Sequence, residues 1–159
     1  MSAAQQEKEP RFQVGDRLVL ANNNPKGVLV AERENGLRPV GLPAIVVDVY
    51  GPDYYGCVIE GVPVRPGGVY QFVRLEDLSK PDTLIRRYKP GRRIRIAVKH
   101  PHYDAWDGRD VGGKQGHIVE ATEDMYGDSE SRTGLDVVVR LDDYNWYDQI
   151  IIPEDIDFI

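Results

Sequence analysis

Short runs that alternate apolar and polar residues recur along the chain and are interrupted by glycine and proline. In residues 17–21 the leucines at 18 and 20 alternate with Arg17 and Val19, and the same alternation returns in residues 93–97. A period of two is typical of strands that bury one face. The chain has 16 Gly and 11 Pro, many of them between such runs, and no segment keeps a helical apolar repeat over three turns. The pattern predicts an all-β protein with many short strands.

The chain also repeats itself. Aromatic matches aromatic, glycine matches glycine and aliphatic matches aliphatic at offsets of 76, 72 and 78 residues. The matched segments are 12–21 with 88–97, 41–48 with 113–120, and 75–78 with 153–156. Three ordered matches indicate two tandem copies of one β unit. We therefore predict a flexible tail over residues 1–10, a first domain over 11–87 and a second over 88–159.

Each copy is predicted to contain an opening strand, a long loop, three further strands, a Glu-Asp turn and a closing strand. In the first copy residues 83–87 supply a good closing strand, whereas in the second copy only residues 157–159 follow the turn. An open strand edge is normally covered. We therefore expect segment 83–96, or a strand from another chain, to complete the second copy and to bury Phe158 and Ile159. The other strands are predicted at 17–21, 43–50, 57–64 and 69–73, and at 93–97, 115–122, 135–141 and 149–152.

Five strands, a long first loop and a one-turn helix before the last strand resemble the SH3-like barrel in its KOW/Tudor branch. The segments 12–20 and 88–96 resemble the KOW opening strand, and 112–119 resembles its Gly-x-x-Gly-x-Val entry to the second strand. The first copy departs from this pattern, because Pro43 and Ala44 stand where the glycine would be. The opening of the second copy also resembles the small barrel of nitrile hydratase β-subunits. The resemblance implies two tandem SH3-like five-stranded barrels with long first loops, a fold that serves RNA, DNA and protein binding alike.

Charge is unevenly distributed around a net value of −6. Residues 81–99 carry seven basic side chains and one acidic one, whereas residues 100–159 carry four basic and 15 acidic. A basic strand suits a phosphate backbone, but the same side chains also suit solvated positions that balance nearby acids. Because the chain is acidic overall, nucleic acid is the alternative partner rather than the first. The candidate residues are Arg86, Arg87, Arg92, Arg93, Arg95 and Lys99.

Aromatic residues interleaved with acids fill two predicted loops of the second copy. This combination suits a protein partner with a cationic or Pro-rich segment, through stacking, cation–π contact and salt bridges. The alternative is that some of these rings close a small core. The first copy has an analogous cluster in Tyr50, Tyr54 and Tyr55. The candidate partner-binding residues are Tyr103, Asp104, Trp106, Asp107, Tyr144, Trp146 and Tyr147.

Catalytic motifs are lacking in the sequence, and the single cysteine, Cys57, is predicted to be a small buried residue. His100, His102 and Asp104 leave open whether their loop binds a metal. The polar N-terminus and the short apolar runs predict a cytoplasmic protein without a membrane segment. We thus expect a non-enzymatic protein-interaction or assembly module without a cofactor, alone or in a larger assembly. The alternatives are a nucleic-acid-associated KOW-like factor and an accessory subunit of a hydrolase complex.

Overall fold

The computed structural model describes residues 10–25, 38–62, 64, 67–97, 109–123 and 131–159. These residues contain ten strands and four short 3-10 helices, so the all-β prediction is confirmed. The chain divides into two compact units, Met1–Pro81 and Asp82–Ile159. The predicted domain limits, 11–87 and 88–159, stay a prediction of which segments fold on their own. Among the described residues, no helix has the length and apolar character that crossing a membrane requires.

The first unit is a five-stranded antiparallel sheet in the order β4-β3-β2-β1-β5. A 3-10 helix over Leu75–Asp77 lies between its fourth and fifth strands. The strands are β1 (Arg17–Leu20), β2 (Pro43–Val49), β3 (Tyr54–Ile59), β4 (Gln71–Arg74) and β5 (Leu78–Ser79).

The second unit has the same strand order, β9-β8-β7-β6-β10, and again every neighbouring pair is antiparallel. A 3-10 helix over Pro81–Arg87 leads into this unit, which contains two more, Asp142–Tyr144 and Pro153–Asp155, among its described residues. The last of these lies before the closing strand, as Leu75–Asp77 does in the first unit. The strands are β6 (Arg93–Ile96), β7 (Gln115–Glu123), β8 (Leu135–Leu141), β9 (Gln149–Ile151) and β10 (Ile156–Phe158).

The turn before each opening strand shows how closely the two units correspond. Gly15 and Gly91 have φ of 95° and 86°, values that favour a residue without a Cβ. The Gly15 N–H donates to the Val46 carbonyl at 2.8 Å, and the Gly91 N–H donates to the Ile118 carbonyl at 2.7 Å. A β-bulge follows Val46 in β2 and Ile118 in β7. The sequence repeat is therefore matched by the same turn, pairing and bulge in both units.

Each unit buries the inward residues of its alternating strands. Leu18 and Leu20 are buried in β1, and Ile94 and Ile96 in β6, as the period of two predicts. The buried cluster of the first unit is Phe12, Leu18, Leu20, Ala44, Val46, Tyr55, Cys57, Ile59, Val62, Val73 and Leu78. The second unit buries, among others, Tyr88, Ile94, Ile96, Val111, Ile118, Val137, Val139, Leu141, Ile151 and Ile156.

Neither sheet closes into a barrel through its described strands, which differs from the closed barrels that we expected. In the first sheet β4 and β5 are the two outer strands. The two residues of β5 pair with Val19 and Leu20 of β1. Among the described residues, no backbone pairing joins the free edge of this two-residue strand to β4.

The closing strands also differ from the prediction. Residues 83–87 belong to the 3-10 helix Pro81–Arg87, and the first unit ends its sheet with Leu78–Ser79. In the second unit Ile156–Phe158 pairs with Ile94–Ile96, so its last strand comes from its own chain. The expectation that segment 83–96 or another chain supplies this strand is therefore wrong. The reason is that the closing strand begins directly after the 3-10 helix, so that its three residues are enough to pair with β6.

Candidate functional site

The aromatic residues predicted near the end of β8 lie together in the structure. Tyr144 ends the 3-10 helix Asp142–Tyr144, and Trp146 and Tyr147 occupy the turn that follows. The ring centroids of Tyr144 and Trp146 are 5.6 Å apart, those of Trp146 and Tyr147 are 5.8 Å apart, and those of Tyr144 and Tyr147 are 6.1 Å apart. Two of the pairs are edge-on, a favourable aromatic geometry.

The three rings differ in exposure, which divides their roles. Tyr144 is buried, whereas Trp146 exposes 61% of its surface. Tyr147 is half-buried, and its hydroxyl accepts a hydrogen bond from Nε2 of Gln149 at 3.0 Å. The Lys114 ammonium lies 5.7 Å from the centroid of the Tyr144 ring. Tyr144 is thus the buried ring on which Trp146 and Tyr147 pack, whereas most of the Trp146 indole is exposed to solvent.

The acids around this cluster form ion pairs with the chain's own cations. Both oxygens of Asp142 accept hydrogen bonds from Arg93, at 2.8 and 2.6 Å. Asp143 pairs with Lys114, also at 2.8 Å. The hydrogen bonds from Arg93 lower the pKa of Asp142, and the hydrogen bond to Asp143 raises the pKa of Lys114. The negative charges of these two carboxylates are therefore partly balanced by cations of the second unit.

A third acid next to the aromatic cluster, Asp148, is also paired with a cation of the second unit. Asp148 accepts a hydrogen bond at 2.8 Å from Nε of Arg140. The arginines that pair with the acids, Arg93 and Arg140, flank His117 in the register of β6, β7 and β8. The loop acids and the strand cations consequently form one charge-balanced surface rather than an acidic site alone.

The other half of the predicted partner site lies outside the described residues. The segment concerned is 98–108. It contains the candidate partner-binding residues Tyr103, Asp104, Trp106 and Asp107, and also Lys99, His100 and His102. Their predicted roles in partner, metal or nucleic-acid binding stay predictions. Among the residues that the structure describes, no group of three or more His, Cys, Asp or Glu side chains could hold a metal ion.

The candidate nucleic-acid residues do not form the single basic strand that the sequence suggested. Arg86 and Arg87 lie in the 3-10 helix Pro81–Arg87, and Arg92 precedes β6. The Arg92 guanidinium lies 3.5 Å from the centroid of the Phe158 ring and donates to the Arg87 carbonyl at 2.8 Å.

On β6 itself, Arg93 pairs with Asp142, and Arg95 stands opposite Asp157 of β10. Arg92 and Arg93 thus make specific contacts within the second unit through their guanidinium groups. Those contacts would compete with phosphate, so nucleic-acid binding stays a prediction that the local geometry does not favour.

Sequence reasoning missed an exposed apolar surface on the first unit. Ile45 and Val58 are cross-strand neighbours and expose 41% and 44% of their surfaces. Beside them the rings of Tyr50, Tyr70 and Phe72 lie within 5.2–6.3 Å of one another. We call Ile45, Tyr50, Val58, Tyr70 and Phe72 the apolar face.

The sequence held a signal for this surface. Residues 44–47 of β2 read Ala-Ile-Val-Val, without the polar alternation that a sheet with one wet face shows. Tyr55, by contrast, was grouped with Tyr50 and Tyr54 but is fully buried, and its hydroxyl donates to the Pro52 carbonyl at 2.9 Å. Neighbouring tyrosines on a strand point to opposite faces, so the cluster divides between core and surface.

Cys57 lies in the core of the first unit. Its burial raises the pKa of the thiol to about 12. The thiol is therefore protonated near neutral pH and is a poor nucleophile.

Comparison with protein-family models, with curated proteins and with solved structures finds no match to this chain.

Proposed function

We propose that this chain is a non-enzymatic protein-interaction module whose second unit binds a protein partner through the surface around Trp146. The observation that carries the proposal is an indole that exposes 61% of its surface while its ring contacts Tyr144 and Tyr147. Tryptophan and tyrosine dominate the energetics of protein interfaces. A ring that is already held by its neighbours loses little conformational freedom on binding.

The fold proposed for both units is an SH3-like barrel that the described strands leave open. Its support is the shared strand order, the long connection after the first strand and the 3-10 turn before the last strand. In such a barrel the loop after the opening strand borders the ligand groove. Tyr103 and Trp106 of that loop, which lie outside the described residues, are therefore proposed as further partner-binding residues.

The charges around the site favour an apolar or Pro-rich partner segment over a strongly cationic one. Asp142 and Asp143 already hold Arg93 and Lys114, so a partner cation would have to displace them. Flat aromatic rings suit proline-containing segments, which are ordered before they bind.

The test compares three forms of the full chain as baits: the wild type, Trp146→Ala and the control Val14→Ala. Val14 exposes 64% of its surface in the turn before β1, so the control removes an exposed apolar side chain from the first unit. Captured proteins are quantified by mass spectrometry, and the affinity of the leading one is then measured with purified components. Trp146→Ala should weaken that affinity about 30-fold, which corresponds to a loss of about 2 kcal/mol at an interface hot spot.

Two results would contradict the proposal. One is that no captured protein depends on Trp146 while the variant keeps its circular dichroism spectrum. The other is that Trp146→Ala and Val14→Ala bind the purified partner equally well.

A further inference from the structure

The two units allow the same positions of one fold to be compared within one chain. Across β1, β2 and β3 the outward row reads Arg17, Ile45 and Val58. The corresponding row across β6, β7 and β8 reads Arg93, His117 and Arg140. The second unit thus builds the same sheet with polar residues where the first has Ile45 and Val58. The fold itself does not require apolar side chains there.

The rest of the apolar face is arranged around a glycine. A Cβ on Gly56 would lie 2.6 Å from a ring carbon of Tyr70, so the missing side chain makes room for that ring. The Tyr70 ring contacts those of Tyr50 and Phe72. Phe72 and Tyr50 nevertheless expose 48% and 49% of their surfaces. Exposed rings that are fixed by their neighbours mark an interaction surface.

Two charged groups at the edge of this face, Asp48 and Arg74, make contacts within the first unit. Asp48 accepts hydrogen bonds from the Val49 N–H at 2.9 Å and from the Tyr70 hydroxyl at 3.1 Å, and the Tyr70 hydroxyl is also hydrogen-bonded to that of Tyr50. At the other edge Arg74 donates to the Tyr54 hydroxyl at 3.2 Å and pairs with Glu76 at 3.8 Å. Asp48 keeps its negative charge in these contacts, whereas the charge of Arg74 is partly balanced by Glu76.

The charge of the first unit also allows the first units of two copies of the chain to approach each other. Residues 1–81 carry nine basic and ten acidic side chains, although the whole chain has a net charge of −6. Like-charge repulsion between copies therefore arises mainly from the second unit, and the first unit is close to neutral. A neutral, apolar sheet face can stack on an identical face, as sheets do in β-sandwiches.

The exposed area sets the expected strength of this contact. At the exposures of Ile45, Tyr50, Val58 and Phe72, the four side chains present roughly 350 Å² of mainly apolar surface. A two-fold contact buries this area twice, about 700 Å², which lies below the roughly 1,200 Å² in total of stable specific interfaces. The area thus suits a weak dimer that forms at high protein concentration.

We propose that the apolar face of the first unit binds the same face of a second copy of this chain. This contact uses the first unit, whereas the proposed partner site uses Trp146 of the second. Its test therefore does not depend on whether the partner site is correct.

The experiment is sedimentation equilibrium of the full chain from about 1 μM to about 1 mM, the range over which weak dimers dissociate. The wild type should rise from the monomer mass of 18.0 kDa towards twice that value as the concentration increases. Val58→Arg places at this position the residue type that the second unit has in Arg140, and it should stay monomeric throughout. Ile45→His, which copies His117 at the matching position of the second unit, is the second variant if the first does not fold.

The matched control is Ile150→Arg. Ile150 exposes 59% of its surface and occupies in β9 the position that Phe72 occupies in β4. This control should dimerise as the wild type does. The proposal is overturned if the wild type keeps the monomer mass at every concentration. It is also overturned if a folded Val58→Arg or Ile45→His variant dimerises as strongly as the wild type.

Discussion

The end of the chain offers a sharp test of how the second unit is stabilised. Phe158 lies in β10, and its ring centroid is 5.1 Å from that of Tyr88. On the same ring lies the Arg92 guanidinium, 3.5 Å from the centroid. Tyr88 is buried, so Phe158 of the last strand covers one side of the core of the second unit by packing on the Tyr88 ring. Phe158→Ala would remove this closure without touching the backbone pairing of β10 with β6.

The expected loss follows from the half-buried position of Phe158. Replacing a fully buried Phe by Ala costs about 3–5 kcal/mol, and half of that is about 2 kcal/mol. The cation–π contact with Arg92 adds about 0.5–1 kcal/mol. We expect Phe158→Ala to lower the free energy of unfolding of the second unit by about 2–3 kcal/mol, a large share of the stability of a small unit.

The two tryptophans make the measurement specific, because Trp106 and Trp146 both belong to the second unit. Urea unfolding followed by tryptophan fluorescence should show a midpoint lowered by roughly 2 M, at a slope near 1 kcal/mol/M for a unit of this size. The control is Ile159→Ala, since Ile159 exposes 53% of its surface and its removal should cost less than about 0.5 kcal/mol. Equal midpoints for Phe158→Ala and Ile159→Ala would refute the closing role of Phe158.

Three further predictions test the packing and the charges. Gly116→Ala should destabilise the second unit by about 2 kcal/mol or more in the same fluorescence assay, because its Cβ would clash with the backbone carbonyl oxygen of Arg140, which cannot move aside as a side chain can; an unchanged midpoint would contradict this. Cys57 should react with a thiol reagent at pH 8 roughly a thousandfold more slowly in the native protein than in urea, because its pKa is raised to about 12, and equal rates would show that the thiol is accessible. Hydrogen bonds from Arg93 hold the pKa of Asp142 below its ordinary value of 3.8, so the pair stabilises the second unit above that pH and ceases to do so as the pH falls below it. The Arg93→Ala variant should therefore lose less stability than the wild type when the pH is lowered through this range. Parallel curves of unfolding free energy against pH for the wild type and the variant would contradict this prediction.

Local patterns predicted the part of the fold that local physics determines. The alternation in residues 17–21 and 93–97 indicated two opening strands, and both Gly15 and Gly91 adopt the positive φ that a tight turn requires. The closing strand was placed wrongly because residues 83–87 also alternate in part, with Leu84 buried. A pattern in one segment does not reveal that Leu78–Ser79 has already paired with β1.

The site was harder to predict because its character depends on distant pairs. Arg93 and Asp142 are 49 residues apart in the chain, and Lys114 and Asp143 are 29 apart. Counting acids near aromatics indicated a cation-binding loop, whereas the fold brings strand cations to those same acids. Burial of Tyr144 and exposure of Trp146 likewise follow from their places in the fold, at the end of the 3-10 helix and in the turn after it, and not from their residue types.

The duplication separates what the fold needs from what a surface adds. Both units keep the turn glycine, the bulge after Val46 or Ile118 and the buried alternation, so these features belong to the sheet itself. The outward row does not follow this rule, since it is apolar at Ile45 and Val58 and polar in the second unit. The second unit forms the same sheet without apolar side chains at these positions, and exposed apolar side chains carry a risk of aggregation. The difference between the two outer faces is therefore where distinct binding roles for the two units are to be sought.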